Sequence, residues 1–254
     1  MSTPVTVTDF ASFVSATNHQ TLAEKRGWSF TLLTSPSLLS DSLLLDPHAH
    51  HWVAEPGASW RTFEHLPDHP VVHVAFADAA AFCRHHKLRL PGEREHEAAS
   101  RGGYWDVNRR YSFGGDSASS PPSDSDALLA MNTWGFGEFP FNNLLEDGFA
   151  RTSPVKLFGP NPLGFYDLQG NVHEYVRGGS ATERILRGGS FVDGVGEAAA
   201  NRVVSVATRT VAPEDTSAEN IGFRCAKTIK RKIEDVGENE SEHPDKGARY
   251  AHEL

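Results

Sequence analysis

The chain of 254 residues contains 24 basic and 33 acidic side chains and carries a formal net charge of −9. This acidic balance argues against broad binding to nucleic acid or to anionic membranes, because both partners require a basic face. No apolar run approaches the roughly 18–20 residues that span a bilayer, and the first residues show neither the basic nor the apolar region of a signal peptide.

The first third of the chain shows two local patterns. After Thr8, apolar side chains three and four positions apart predict a short helix over residues 9–14. Residues 71–76 alternate in polarity and are rich in β-branched side chains, which predicts a strand.

Two further helices are predicted before the chain becomes irregular. The first covers residues 78–86, and the second covers 91–99, where Pro91 stands near the first turn and acidic side chains suit the helix N-terminus. Beyond Gly102, turn residues join short segments. This pattern favours an irregular α+β domain over a repeat protein or a doubly wound sheet.

Three segments differ in composition from a folded domain. Residues 34–60 mix Ser, Leu, His and Pro without a steady period, which predicts an insertion or a lid. Residues 114–126 are of low complexity and are predicted to form a mobile loop. Residues 227–254 are charged and poor in apolar side chains, which is typical of a flexible tail. The folded domain is therefore predicted to cover residues 1–226.

The cysteines and histidines leave alternatives open. Taken alone, Cys83 and Cys225 are compatible with two reduced, buried thiols or with one disulfide that closes a very long loop. The histidines between residues 48 and 73 lack a second ligand group with zinc spacing. We therefore interpret them as solvated loop side chains: His48, His50, His51, His65, His69 and His73.

Oxygen-bearing side chains concentrate between residues 132 and 174, interleaved with Gly and aromatic residues. Hard cations such as Ca²⁺ prefer six to eight oxygen ligands from carboxylates, amides and backbone carbonyls. Because Asp-Gly and Gly-Asn are also ordinary turn dipeptides, spacing alone leaves a calcium site and a set of structural turns as alternatives.

An ordered series of motifs resembles the formylglycine-generating enzyme (sulfatase-modifying factor) family over roughly residues 5–226. The motifs occupy residues 71–83, 89–103, 132–140, 153–155, 161–174, 186–191 and 220–225. The resemblance implies an α+β, C-type-lectin-like fold with little regular secondary structure. It also implies that the family's N-terminal strand, which carries a Met-Gly motif, is missing from this chain.

The resemblance implies two calcium sites and one disulfide. Each calcium site would combine two side-chain oxygens with two backbone carbonyl oxygens. The first set is Asn132, Thr133, Asp147 and Phe149, and the second is Asp167, Gly170, Val172 and Glu174. The disulfide would join the cysteines at positions 83 and 225.

Active members of the family use two further cysteines beyond a Gly-Gly-Ser turn to bind copper and to oxidise a sulfatase cysteine to formylglycine. Soft thiolates are the ligands that Cu(I) requires. The corresponding positions here are Asp193 and Ala198. A carboxylate and a methyl group cannot replace two thiolates, so we predict no catalytic residue and no copper site.

The peptide groove of the family also differs here. The usual Trp-Glu-Trp sequence after Gly-Asn is His173-Glu174-Tyr175, which changes the wall of the groove. We predict that Ser190, Asn220 and His173 contact the bound peptide.

These features resemble most closely the family's catalytically inactive paralogue. They imply a non-oxidising protein that binds sulfatases or the active enzyme and modulates sulfatase maturation, as a homodimer or a heterodimer. The alternative is an active oxidase that uses non-cysteine ligands. The implied disulfide indicates the endoplasmic reticulum lumen or the secretory pathway. Residues 251–254 share their last two residues with the Lys-Asp-Glu-Leu retrieval signal.

Overall fold

Short helices and strands are separated by long irregular connections. The computed structural model describes residues 1–33, 51–103, 109–113, 123–196 and 202–229. The helices are α1 (Val7–Thr17), α2 (Leu22–Arg26), α3 (Phe76–His85), α4 (Glu93–Ser100) and α5 (Asp124–Leu128). The strands are β1 (Trp28–Leu32), β2 (Trp52–Pro56), β3 (His173–Val176), β4 (Glu183–Arg187), β5 (Arg209–Pro213) and β6 (Ile221–Phe223). The predicted α+β class with little regular structure is confirmed. None of these helices has the length and hydrophobicity needed to cross a bilayer.

Several predicted segments lie outside the described residues: 34–50 of the insertion, 114–122 of the loop, Ala198, and 230–254 of the tail with its retrieval-like ending. The described part of the insertion is not peripheral, because residues 52–56 form β2 and Trp60 is buried in the core. Likewise, Ser123 belongs to a helix cap, since its hydroxyl accepts a hydrogen bond from the Asp126 amide at the start of α5.

The three predicted helices exist and are set by local signals. α1 begins after Thr6, whose hydroxyl accepts a hydrogen bond from the Asp9 amide at 3.1 Å while its own amide donates to the Asp9 carboxylate. Such a capping box satisfies two amides that a helix N-terminus leaves free. At the start of α3, the Asp78 carboxylate accepts a hydrogen bond from the Ala75 amide at 3.0 Å. Short-range pairs of this kind can be recognised in a sequence.

The strand predicted at residues 71–76 is wrong. Residues 71–75 are buried and make single backbone hydrogen bonds to two different neighbours: Val71 donates to Val5, and His73 donates to Ala218. His73 adopts a left-handed conformation with φ 58°, which interrupts any ladder. The alternating pattern therefore reflects a connection buried on both sides. Val5 also donates to the carbonyl of Phe223, so the first residues lie along the outer edge of β6.

Two small sheets are joined through the segment just before β6. The larger sheet has the order β5-β4-β3-β6, with β3 and β6 parallel and the other neighbours antiparallel. β1 and β2 form an antiparallel pair. Phe30 in β1 joins the two, because its amide donates to Ser217 and its carbonyl accepts from Glu219, both just before β6. This junction brings β1 and β2 beside the strands that carry the predicted groove residues.

The principal core contains a cluster of aromatic rings and the disulfide. Phe82 of α3 lies between Phe10 of α1 and Phe223 of β6, with ring centroids 5.9 Å and 5.4 Å away. The disulfide joins Cys83 to Cys225 with their Cα atoms 5.6 Å apart, and both residues belong to this core. The pairing implied by the family resemblance is therefore present.

Two of the histidines interpreted as solvated are in fact buried. His73 is 1% exposed and its Nδ1 lies 2.8 Å from the Ser29 hydroxyl, while Nδ1 of His69 lies 3.0 Å from the Thr152 hydroxyl. Burial, with Arg151 nearby, lowers the pKa of His73 to about 3. His73 is therefore a neutral structural side chain at physiological pH. The interpretation failed because it depended on loop composition, which carries no information about which loops are covered.

Candidate functional site

A tight turn after β4 positions the first groove residue. Gly188 and Gly189 both adopt positive φ angles, of 90° and 74°. A Cβ atom at position 188 would lie 2.8 Å from the Leu168 carbonyl oxygen, and one at position 189 would lie 2.5 Å from the Val204 side chain. Only glycine fits both positions without displacement. The turn fixes the backbone of Ser190, which is completely buried.

Asp193 organises the polar residues around this turn. Its Oδ2 accepts hydrogen bonds from the Ser190 amide at 2.8 Å and from the Ser190 hydroxyl at 3.1 Å, and it lies 3.2 Å from Nε2 of His173. Asn220 donates from Nδ2 to the Ser190 hydroxyl at 3.1 Å. Burial alone would raise the pKa of Asp193, but His173, the Ser190 amide and Arg202 outweigh it and lower that pKa. The structure thus unites the three predicted groove residues around an ionised carboxylate.

This polar network lies at one side of a cavity of about 590 Å³. The apolar wall includes Phe30, Trp52, Leu186, Val192, Val211 and Ile221. The polar lining includes His173, Asp193, Arg202, Thr210 and Asn220. Ser190 is not among the lining residues, and its hydroxyl donates to Asp193 and accepts from Asn220. Its contact with a peptide stays a prediction. Sequence reasoning missed Arg202 and Thr210.

The cavity has no sulfur donor for copper. The chain contains two cysteines, and both are used in the disulfide within the core. Asp193, which the resemblance matches to the first family cysteine, has a carboxylate that already binds the Ser190 and His173 side chains. A hard carboxylate and an imidazole do not fit the preference of Cu(I) for thiolates. The second position, Ala198, lies outside the described residues, but its methyl group offers no ligand atom.

Three of the four residues of the first calcium set are in contact in the structure. Asp147 accepts hydrogen bonds from the Thr133 amide through Oδ2 and from the Phe149 amide through Oδ1, both at 2.8 Å. Burial raises the pKa of Asp147 to about 6. Asn132 Oδ1 and Glu146 Oε2 are buried and have no hydrogen-bond partner among the described residues. These unpartnered oxygens belong to the sequence neighbours of Thr133 and of the half-buried Asp147, and such an arrangement fits a hard cation. Glu146 was not assigned to this set from the sequence.

The second calcium set contains its own counter-charge. Arg224 donates from Nε and Nη2 to the two carboxylate oxygens of Glu174 at 2.6 Å and 2.7 Å, and Nε2 of His96 lies 3.2 Å away. Burial would raise the pKa of Glu174, but Arg224 and His96 lower it to about 2. Arg224 also donates to the Asp167 carbonyl. A cation here would have to approach a guanidinium, so this set fits Ca²⁺ less well than the first. In neither set do three Asp, Glu, His or Cys side chains converge, as far as the described residues extend.

Comparison with known proteins defines the class. The model of the sulfatase-modifying factor enzyme 1-like domain family matches residues 1–229, and the chain belongs to this family. Among its relatives, the inactive C-alpha-formylglycine-generating enzyme 2 of Mus musculus is 37% identical over 247 residues, covering 92% of this chain and 76% of that protein. The formylglycine-generating enzyme of Thermomonospora curvata is 36% identical over 248 residues, covering 85% of this chain and 77% of that protein.

A solved structure supports the same fold. PvdO from Pseudomonas aeruginosa superposes with a TM-score of 0.58 at 20% identity, covering 90% of this chain and 79% of that chain. The family and the fold expected from the sequence motifs are therefore confirmed. Because inactive and active relatives are almost equally similar, overall identity does not separate the two functions, and the chemistry of the cavity has to decide.

Proposed function

We propose that this chain is a non-oxidising member of the family that binds extended segments of sulfatases, or the active enzyme, and so modulates sulfatase maturation. The observation that carries the proposal is the replacement of a sulfur donor by Asp193, fixed in a buried pair with His173, in a chain whose two cysteines are both bridged. Without thiolates, the cavity has no ligand set for cuprous ion. What it retains is a shaped surface for binding.

The strand arrangement suits an extended ligand. β5 forms one edge of the four-stranded sheet and contributes Thr210, Val211, Ala212 and Pro213 to the cavity. Val211 is 46% exposed. An extended peptide can add to such an edge through backbone hydrogen bonds and place alternate side chains into the cavity. The disulfide is compatible with an oxidising compartment of the secretory pathway.

A binding and turnover assay tests the proposal. A peptide with the sulfatase motif Cys-x-Pro-x-Arg, and separately the active enzyme, are titrated into the protein by calorimetry, with a scrambled peptide as control. The same peptide is then incubated with the protein, copper and a reductant and analysed by mass spectrometry. We expect binding that does not depend on copper and no aldehyde product. Formylglycine formation would favour the oxidase alternative, and absence of binding to both partners would remove the proposal.

For the metal, we propose that Ca²⁺ binds the first set, around Asp147. Ligand at a hundredfold excess over Kd stabilises a fold by about 2.7 kcal/mol, which for this chain length raises Tm by about 5–10 °C. Calorimetry with Ca²⁺ or with a chelator measures the shift. Because protons compete for a carboxylate whose pKa is about 6, we expect the shift to decrease below that pH.

Two matched variants locate the calcium site. Asp147→Asn should abolish the calcium-dependent shift, while Asp167→Asn in the second set should retain it. A shift that is absent from the wild-type protein, or that survives in the Asp147 variant, would contradict the assignment.

A further inference from the structure

Three basic side chains are brought together at the end of α3. Arg84 and Lys87 lie at the C-terminus of this helix, and Lys227 lies on the segment after β6; all three are exposed. The disulfide joins the two segments, and Arg89 and Ala226 exchange backbone hydrogen bonds in both directions. The helix end and the segment after β6 are thus held side by side. We call Arg84, Lys87 and Lys227 the basic patch.

The basic patch has no acidic partner in the part of the chain that the structure describes, since none of the ion pairs there includes one of its residues. Elsewhere arginines pair with acids, as Arg61 does with Glu24. Beside the patch, both carboxylate oxygens of Glu95 are bound by Arg89. The three cations are therefore free to bind an external anion, although the whole chain carries a net charge of −9.

The backbone conformation of Lys87 singles out this side chain. At the end of α3, the Leu88 amide donates to the Cys83 carbonyl at 2.8 Å, and the Lys87 amide donates to the Arg84 carbonyl at 3.0 Å. These two bonds define a Schellman motif, whose left-handed residue is usually glycine. Lys87 occupies that position with φ 57°, where a Cβ atom is unfavourable. A cation is thus kept where glycine would be less strained, which supports a use for this side chain.

The surroundings of the basic patch favour a flexible polyanion over nucleic acid or a membrane. Surfaces that bind single-stranded nucleic acid stack bases on aromatic rings, but the histidine rings beside the patch are already packed. His85 lies against Phe13 with ring centroids 5.4 Å apart. His86 lies against Phe82 at 4.5 Å. A membrane would also face the acidic remainder of the chain, whereas a thin polymer can contact the patch alone.

We propose that the basic patch binds the sulfate groups of a linear sulfated polysaccharide. Lysine and arginine bind such oxyanions through charge-assisted hydrogen bonds. The disulfide is compatible with an oxidising compartment, where sulfated polysaccharides are accessible. No residue of the basic patch lines the cavity described above. The inference therefore goes beyond the proposed function, and a polysaccharide and a client segment can be bound at the same time.

Titration of a heparin oligosaccharide into the wild-type protein by calorimetry tests the proposal. Because three cations release counterions on binding, we expect an affinity that falls by about tenfold or more between about 50 and 200 mM salt. A desulfated oligosaccharide of the same length should not bind. Absence of heparin binding would overturn the inference. Equal or tighter binding of single-stranded DNA, or of vesicles that contain phosphatidylserine, would overturn the choice of a polysaccharide.

Two matched lysine variants locate the binding surface. Lys156 is also exposed and left-handed, with φ 66°, but lies outside the basic patch with its ammonium group over the Tyr166 ring. Lys87→Gly should weaken heparin binding about threefold, and Lys156→Gly should bind as wild type. Adding Arg84→Gln and Lys227→Gln to the first variant should weaken binding about tenfold or more.

Glycine suits the conformation at both lysine positions, so neither single variant should unfold below the wild-type temperature, and a loss of affinity then reports on the charge. Equal weakening by Lys87→Gly and Lys156→Gly would show that only net charge matters and would overturn the assignment. Binding of the sulfatase-motif peptide should be the same in both variants, so failure of this inference leaves the proposed function intact.

Discussion

Replacing Arg224 with methionine is expected to lower the free energy of unfolding by about 3–5 kcal/mol, because it removes the guanidinium that pairs with the buried carboxylate of Glu174 and leaves only the contact with His96. Glu174 is 1% exposed and Arg224 is 4% exposed, so water cannot take over the role of the guanidinium. The loss also frees two backbone carbonyl oxygens, of Tyr166 and Asp167, that accept hydrogen bonds from Nη2. Urea unfolding followed by circular dichroism measures the effect.

The matched control removes the second charge as well. In the double variant Arg224→Met with Glu174→Leu, neither charge of this pair remains buried, and most of the lost stability should return since apolar pairs often replace buried ion pairs at little cost. His96, which also contacts Glu174, is unchanged in both proteins. Equal instability of the single and double variants would show that the ion pair itself is not the reason for the loss.

Opening the disulfide should have an effect of similar size. The two cysteines are separated by 142 residues, and the chain-entropy model assigns a cross-link of this length about 5 kcal/mol of stabilisation. Global stabilities are only about 5–15 kcal/mol, so the reduced protein should be marginally folded. Urea unfolding with and without reductant measures the difference.

A variant without either cysteine separates the effect of losing the disulfide from any other effect of the reductant on stability. The double variant Cys83→Ala with Cys225→Ala should match the reduced wild type and should not respond to reductant. If reduction lowers the stability of wild type by less than about 1 kcal/mol, the constraint is not acting on the unfolded chain as the model assumes.

The features that sequence predicted well are local or repeated across the family. The spacing of apolar side chains predicted the helix over residues 9–14, which lies within α1, but it placed the start after Thr8, whereas the capping pair is Thr6 and Asp9. The ordered motifs recovered the family, the fold and the pairing of the cysteines, whereas the two cysteines alone left oxidised and reduced states open. The strand prediction for residues 71–76 was wrong because alternating polar and apolar side chains also occur in a buried connection. Only the structure shows the left-handed conformation of His73.

The candidate site depends on contacts that no local pattern encodes. His173 lies in β3 and Asp193 follows the turn after β4. Asn220 lies in the connection just before β6. Arg202 and Thr210 were not predicted as site residues, because an arginine in a loop and a threonine in an edge strand are common in any sequence. Their significance appears only when both are seen around one cavity.

Side-chain alternation along β3 has a consequence for how this family can diverge. His173 lines the cavity, while its neighbour Glu174 turns away to the interior ion pair with Arg224. Successive residues of a strand point to opposite faces. Selection can therefore replace the residue that lines the cavity while the adjoining residue of the interior ion pair stays unchanged. An ancestral chemistry can be lost, or a new ligand preference acquired, by exchanges at one surface without risking the architecture behind it.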